Sequence, residues 1–260
     1  MDFTKMILKD IPADYSWDTS GIIRLGHKQD IAACLCGDCK GRCLIFCHGN
    51  AETAISEMFW FDELVKAGVT VICPDYRGYG LSDGILSENG CYEAAHVAYE
   101  FLEKEKGIPS EDIFVLGYSL GSAIAVELAS THLVGGLILQ APFLNGKELK
   151  RFWLEKRGIS EEDFIEESFP TSSRLPKIHV PTLVIHGKAD EIIPFSQGEA
   201  VFNLIAARKK KIVPVEKAGH CNFQVKLGRE YISLLTDFMK TRNLLERFFC
   251  RMQRFFHGKR

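Results

Sequence analysis

Apolar runs rich in β-branched residues alternate with segments of helical period along most of the chain. This alternation is typical of a βαβ protein with a mainly parallel sheet. The predicted strands are 21–25, 31–36, 42–47, 69–73, 113–116, 136–139, 182–186 and 211–215. The predicted helices between them are 52–66, 88–106, 120–131 and 195–207. The pattern therefore predicts an α/β fold with a mostly parallel eight-stranded sheet flanked by helices.

The segment 143–178 interrupts this alternation, because it has charged and aromatic residues but no strand-like run. A connection of this length in a compact α/β domain is usually a functional excursion. We therefore predict a small lid insertion at 143–178, over a core formed by 1–142 and 179–241. Aromatic residues line acyl pockets, so Phe143 and Trp153 are candidate contacts for an apolar acyl or aryl group of a substrate. Such residues would equally fix the insertion to the body of the domain.

The composition is that of an ordinary globular protein. Of the 260 residues, 46% are hydrophobic, which excludes intrinsic disorder. Its 32 basic and 34 acidic residues give a net charge of −2, which offers no general attraction to nucleic acid. No apolar stretch approaches the roughly 20 residues that cross a bilayer, and charged residues occupy the start of the chain, where a signal peptide needs an apolar block. We therefore expect a cytoplasmic protein that does not bind nucleic acid.

Five of the nine cysteines are close together in the sequence: Cys34, Cys36, Cys39, Cys43 and Cys47. An odd number of cysteines scattered over a chain of this size is not a disulfide framework. Cys36 and Cys39 have the spacing of half a zinc site, but no second Cys-x-x-Cys pair follows them. We interpret the group as small apolar residues of two strands joined by a short loop, and a metal site is the alternative.

The segment 117–121 reads Gly-Tyr-Ser-Leu-Gly and connects a predicted buried strand to a predicted helix. Gly-x-Ser-x-Gly in this context is the pattern of a nucleophile elbow, whose flanking glycines remove Cβ clashes in a sharp turn. Ser119 is therefore the predicted nucleophile, at the amino end of a helix whose dipole favours developing negative charge. Tyr118 beside it is a third candidate substrate contact.

A serine hydroxyl needs a base that takes its proton, and the base needs a group that orients it. Asp190 and His220 each follow a predicted strand, and they continue the chain order Ser, acid, His. Both should therefore lie at carboxyl ends of strands, on the same edge of the sheet as Ser119. We predict His220 as the general base and Asp190 as its partner, with Glu191 as the local rival for the acid.

Acyl transfer also needs N–H donors for an oxyanion. The residue after the nucleophile, Leu120, is expected to supply one backbone N–H. The loop after the predicted strand 42–47 reads His-Gly-Asn-Ala-Glu over 48–52, and Gly49 lets its backbone approach the site. We predict the N–H of Asn50 as the second donor, with Ala51 as the alternative. This chemistry requires no metal and no cofactor.

These motifs, together with Asp-Tyr-Arg-Gly-Tyr-Gly-Leu-Ser over 75–82 and Asp-Glu-Ile-Ile-Pro over 190–194, resemble those of the α/β-hydrolase fold family from about residue 22 to 238. The loop 48–52 and the elbow are similar to a serine-hydrolase branch that includes membrane-associated members, some acting on lipid esters or protein-linked palmitate. The resemblance implies an esterase, lipase or thioesterase with a small-molecule ester substrate. An amidase, a peptidase or an acyltransferase would use the same triad, and a non-catalytic binding protein on this fold would normally lack a triad member.

The end of the chain is strongly basic. Residues 240–260 contain seven basic residues and one acidic residue, and apolar residues recur there at helical spacing. We therefore predict a basic amphipathic helix over 242–260. It would dock on its own domain or on a second subunit, or alternatively make peripheral contact with an anionic membrane.

Overall fold

The computed structural model describes residues 11–12, 21–56, 58–156 and 168–240. The predicted helix 242–260 and residues 157–167 of the predicted lid lie outside these ranges. Within the described part of the chain, no helix combines the length and the apolar character that crossing a membrane requires.

The described strands of the central sheet are β1 (Ile22–Leu25), β2 (Ile31–Cys36), β3 (Arg42–Cys47), β4 (Val69–Pro74), β5 (Ile113–Tyr118), β6 (Gly136–Gln140), β7 (Thr182–Gly187) and β8 (Lys210–Val215). Their order across the sheet is β8-β7-β6-β5-β3-β4-β2-β1. Neighbours from β4 to β8 run parallel, whereas β2 is antiparallel to both β1 and β4. The predicted α/β fold with a mostly parallel sheet of eight strands is therefore confirmed.

The predicted strands agree with the observed ones to within one or two residues at each end. Strands β2 and β3 are joined by a short loop, as predicted, but they are not neighbours because β4 lies between them. The loop therefore passes across the start of β4, where the Cys39 N–H donates to Thr70 Oγ1 at 3.0 Å.

The described helices are α1 (Met58–Lys66), α2 (Glu88–Glu100), α3 (Leu120–Thr131), α4 (Gly146–Lys156), α5 (Thr171–Arg174), α6 (Phe195–Leu204), α7 (Phe223–Leu227) and α8 (Arg229–Lys240). Helix α3 has its predicted bounds. The helix predicted from residue 52 begins only at Met58, and the one predicted from residue 195 ends at Leu204. Helix α2 passes at Glu100 into a π-helical turn, Phe101–Glu105.

Buried side chains form an apolar layer on each face of the sheet. Helices α2, α3 and α6 contribute to one layer, and α1 and α8 to the other. Helix α8 is absent from the predicted elements, although its buried residues Tyr231, Leu235 and Met239 are spaced four residues apart. That spacing gives the helix one apolar stripe, which packs on the sheet.

The cysteines of the strands pack as small apolar residues. Cys43 and Cys47 of β3 are fully buried in one layer, and Cys34 of β2 is fully buried in the other. Burial raises the pKa of the Cys43 thiol to about 12, so this side chain stays a neutral thiol at physiological pH. In the described ranges, no group of three or more His, Cys, Asp and Glu side chains is placed to hold a metal ion.

Candidate active site

The turn between β5 and α3 holds Ser119 in an unusual backbone conformation. Its φ and ψ angles are 52° and −117°, a left-handed region that non-glycine residues rarely occupy. The Ser119 N–H donates to the carbonyl of Gln140 at the end of β6, at 2.9 Å, which ties the turn to the neighbouring strand. This is the predicted elbow, and a fixed, strained residue of this kind is typical of a functional site.

Glycines let the elbow pack tightly against its neighbours. A Cβ on Gly117 would overlap the carbonyl of Gly121, so the strand and the helix can approach this closely only if residue 117 is a glycine. A Cβ on Gly121 would in turn overlap the carbonyl oxygen of Cys47, at the end of β3. The start of α3 therefore lies directly against the strand that leads into the loop 48–52.

Three side chains that are distant in sequence meet at the carboxyl edge of the sheet. His220 Nε2 lies 2.9 Å from Ser119 Oγ, and His220 Nδ1 lies 2.8 Å from Asp190 Oδ2. An ionised carboxylate only accepts hydrogen bonds, so Nδ1 donates to Asp190 and Nε2 is left to accept from the serine hydroxyl. Asp190 follows β7 and His220 follows β8, the two strands at one end of the sheet. The geometry is that of a Ser-His-Asp triad.

Asp190 is held as a carboxylate by its surroundings. Its Oδ1 accepts the backbone N–H groups of Ile192 at 2.9 Å and Ile193 at 2.8 Å. Burial opposes the charged form, but hydrogen bonds from His186 and His220 outweigh it and hold the pKa of Asp190 well below its usual range. Glu191, the alternative acid, is exposed, and Asp190 is the carboxylate that contacts His220.

Tyr118 contacts His220 through both its hydroxyl and its ring. Its hydroxyl donates to the backbone carbonyl of His220 at 3.2 Å, and the two rings are 5.4 Å apart. The side chain is buried. These contacts give Tyr118 a role in positioning His220, which differs from the substrate contact expected from the sequence.

The loop 48–52 is fixed by the segment that follows β4. The Tyr76 hydroxyl donates to the His48 carbonyl at 2.7 Å, and the Tyr79 hydroxyl donates to Asn50 Oδ1 at 2.9 Å. The His48 ring stacks on Tyr76 at 4.0 Å, and burial lowers the pKa of His48, which favours a neutral structural ring. The side chain of Asn50 is thus held in place. An oxyanion donor needs a fixed position, and the anchored side chain helps to fix the backbone N–H of the same residue.

The two aromatic residues of the predicted lid lie in different environments. Phe143 is buried in the core, so in the described structure it fixes the start of the segment to the domain. Trp153 on α4 is half-buried, and its Nε1–H donates to the Ile192 carbonyl at 2.8 Å. Helix α4 is therefore attached to the loop that carries Asp190.

Comparisons with known proteins agree with this fold. A family model described as "alpha/beta hydrolase fold" matches residues 43–159. The Caenorhabditis elegans alpha/beta hydrolase domain-containing protein aho-3 is 32% identical over 197 residues, which are 75% of this chain and 57% of that protein. A protein of Mycobacterium tuberculosis is 31% identical over 203 residues, 77% of this chain and 70% of that protein. The chain belongs to the α/β-hydrolase fold family.

A solved structure has the same fold. The Pyrococcus furiosus esterase Pf2001 superimposes with a TM-score of 0.71 at 17% identity, over 90% of this chain and 97% of that one. At this identity the likeness concerns the fold. The matches to aho-3 and to the human alpha/beta hydrolase domain-containing protein 17C each span 57% of the relative's own length. This α/β-hydrolase chain therefore spans less than two thirds of either relative.

Proposed function

We propose that this chain is a serine hydrolase that cleaves a carboxylic ester or thioester through an acyl-enzyme on Ser119. The observation that carries the proposal is the continuous chain of hydrogen bonds from Ser119 through His220 to Asp190, at 2.9 and 2.8 Å. Its three members come from three separate loops at one edge of the sheet. Hydrogen bonds in the order nucleophile, base and orienting acid are the arrangement by which a histidine activates a serine hydroxyl.

In the first half of the proposed reaction, Ser119 Oγ attacks the acyl carbon while His220 Nε2 takes the hydroxyl proton. The carbonyl oxygen becomes an oxyanion, which accepts hydrogen bonds from the backbone N–H groups of Leu120 and Asn50. The imidazolium of His220 is stabilised by Asp190. It then gives its proton to the leaving alkoxide or thiolate as the bond to the acyl carbon breaks, and the acyl group stays on Ser119.

In the second half, water replaces the serine as nucleophile. His220 takes a proton from the water, and the resulting hydroxide attacks the acyl-enzyme at the same carbon. When the second tetrahedral intermediate collapses, the proton returns from His220 to Ser119 Oγ and a carboxylic acid leaves. The two halves balance as ester plus water giving acid plus alcohol, and no other reactant is needed.

A fluorophosphonate probe tests the proposed nucleophile, because it modifies only serines that are activated by a base. The wild-type protein is expected to be labelled, and Ser119→Ala is expected to lose all labelling. Ser122→Ala is the matched control, since Ser122 is a fully buried serine on the first turn of α3. A folded wild-type protein that stays unlabelled, or equal labelling of Ser119→Ala, would reject the proposal.

Two exposed apolar side chains that follow Asp190 and His220 in the sequence favour a substrate with an apolar acyl group. Ile192 is 46% exposed two residues after Asp190, and Val225 is 70% exposed five residues after His220. Both lie at the carboxyl edge of the sheet, with Trp153 attached beside Ile192. Exposed apolar groups next to a site give up water when an apolar ligand binds, which contributes about 25 cal/mol per Å² buried.

We therefore expect kcat/KM for p-nitrophenyl esters to rise severalfold from acetate to octanoate. Val225→Ser should flatten this rise while leaving acetate turnover unchanged. Leu133→Ser is the control, because Leu133 is 53% exposed but lies at the opposite edge, just before β6. A chain-length profile that is flat in the wild type, or unaltered in Val225→Ser, would contradict an apolar acyl site at this place.

A further inference from the structure

A second histidine, His186, contacts Asp190 and has no role in the mechanism above. His186 is the penultimate residue of β7, and its side chain is completely buried. Its Nε2 is 2.9 Å from the Ile193 carbonyl oxygen and 3.3 Å from Asp190 Oδ2. Both neighbours are acceptors, so Nε2 carries a proton and donates towards both of them.

The other ring nitrogen of His186 is buried without a hydrogen-bond partner in the described structure. Burying an unpaired polar atom costs free energy, so a histidine at this place is unfavourable unless the hydrogen bonds of Nε2 offset the cost of the unpaired Nδ1. Every polar contact of the ring is made by Nε2, and one of them is to the acid of the triad.

Helix α6 is shaped to admit this ring. A Cβ on Gly198 would overlap His186 Nδ1, so only glycine leaves room for the imidazole. The Phe195 ring packs edge-on against the same imidazole, with centroids 5.7 Å apart and an interplanar angle of 84°. The ring is therefore confined to one orientation, in which Nε2 faces Asp190.

The loop that carries Asp190 is closed by a cycle of hydrogen bonds. Ile193 donates its N–H to Asp190 Oδ1 at 2.8 Å and accepts from His186 through its carbonyl. Oδ2 of the same carboxylate receives donors from both His186 and His220. We propose that His186 is a positioning residue of the catalytic centre. It holds the Asp190 carboxylate in place, and the charge of this carboxylate is shared between His186 and His220. This inference rests on the proposed function.

The shared carboxylate has a consequence for catalysis at different pH values. A donor from His186 withdraws charge from Oδ2, so the carboxylate stabilises the imidazolium of His220 less than it would alone. Among the charged groups that the structure describes beside this loop, Lys156 of α4 donates to the Glu191 carbonyl and Lys188 pairs with Glu216. The side chains of Glu191 and Glu199 are exposed, and none of these groups replaces the donor of His186. The pH at which the base becomes active should therefore depend on His186.

The rate of fluorophosphonate labelling, measured from pH 5 to 9, tests this role. In His186→Leu, which keeps most of the volume but has no donor, we expect the plateau rate to fall about tenfold. We also expect the midpoint of the rise with pH to move upwards by about half a unit or more. In His186→Gln, whose amide can donate from a similar position, both values should return towards the wild type.

Gly198→Ala tests the same inference without changing any group that donates to the triad. The added methyl must displace the His186 ring, so the midpoint should move in the same direction as in His186→Leu. Ser196→Ala, an exposed change on the same helix, is the control and should match the wild type. Gly198→Ala and His186→Gln decide the question if His186→Leu does not fold.

A purely structural role would lower the plateau in these variants and leave the midpoint where it is. An unmoved midpoint in His186→Leu, or in Gly198→Ala if the leucine variant does not fold, would therefore overturn the inference. A wild-type protein that is not labelled at any pH would instead overturn the proposed function, and the role of His186 with it. The two failures are thus distinguishable in one set of measurements.

Discussion

His220→Gln is expected to lower kcat/KM for p-nitrophenyl acetate on the order of 10⁵-fold. The Ser119 hydroxyl is a weak nucleophile at neutral pH, and His220 Nε2, 2.9 Å away, is the group placed to take its proton. Glutamine is close in size and uncharged, so the buried hydrogen bond to Asp190 is the main native contact at risk. We expect the thermal midpoint to fall by only a few degrees.

His179→Gln is the matched control for this experiment. His179 is exposed and precedes β7, on the edge of the sheet opposite to the triad. The same substitution there should leave kcat/KM within about twofold of the wild type. A His220→Gln variant that retains more than about a tenth of wild-type turnover would show that another group is the base.

Gly121→Ala is expected to destabilise the protein by about 3 kcal/mol, the upper part of the range for overpacking. The new methyl group would overlap the carbonyl of Cys47, which belongs to the backbone of a central strand and cannot rotate away. The thermal midpoint should fall by roughly 10 °C. Urea denaturation of the two proteins measures the change in the free energy of unfolding.

The same substitution should also reduce labelling of Ser119, because it separates the start of α3 from the loop 48–52 and so moves Leu120 away from Asn50. Gly219→Ala is the control, since its Cβ would meet only the Ala189 carbonyl at 3.8 Å, an ordinary contact. That variant should unfold at the same urea concentration as the wild type. Equal stability of Gly121→Ala and Gly219→Ala would contradict the close packing described for the elbow.

The strands were the most predictable part of the fold. Buried parallel strands are continuous apolar runs, and such runs have clear ends in this sequence. The start of the first helix was not predictable in the same way. The segment 52–56 has helix-forming composition, but the Ala54 N–H donates to Asp75 Oδ1 at 2.6 Å and the Thr53 N–H donates to Ser56 Oγ at 3.0 Å. The side chains of Asp75 and Ser56 accept hydrogen bonds from these N–H groups, and the helix begins later, at Met58.

The candidate site likewise has residues that the sequence predicts and residues that it does not. Ser119, Asp190 and His220 were predictable, because residues that follow parallel strands meet at one edge of a sheet. His186 lies inside a strand, where sequence position says nothing about the direction of its ring or about the glycine opposite it on α6. Its contact with Asp190 depends on how one particular turn closes, and a histidine in an apolar run usually indicates only a buried residue. The sequence places Tyr118 beside the predicted nucleophile, but it does not indicate that the hydroxyl reaches the backbone of a residue 102 positions away.

Strand β8 forms one end of the sheet and, among the described strands, pairs only with β7. The proposed general base, His220, lies just beyond this strand, whereas the proposed nucleophile, Ser119, follows β5, which has partners on both sides. Strands at an edge open more readily than central ones. Warming should therefore detach the proton acceptor while the rest of the molecule is still folded, and catalysis should cease several degrees below the temperature at which the protein loses its secondary structure.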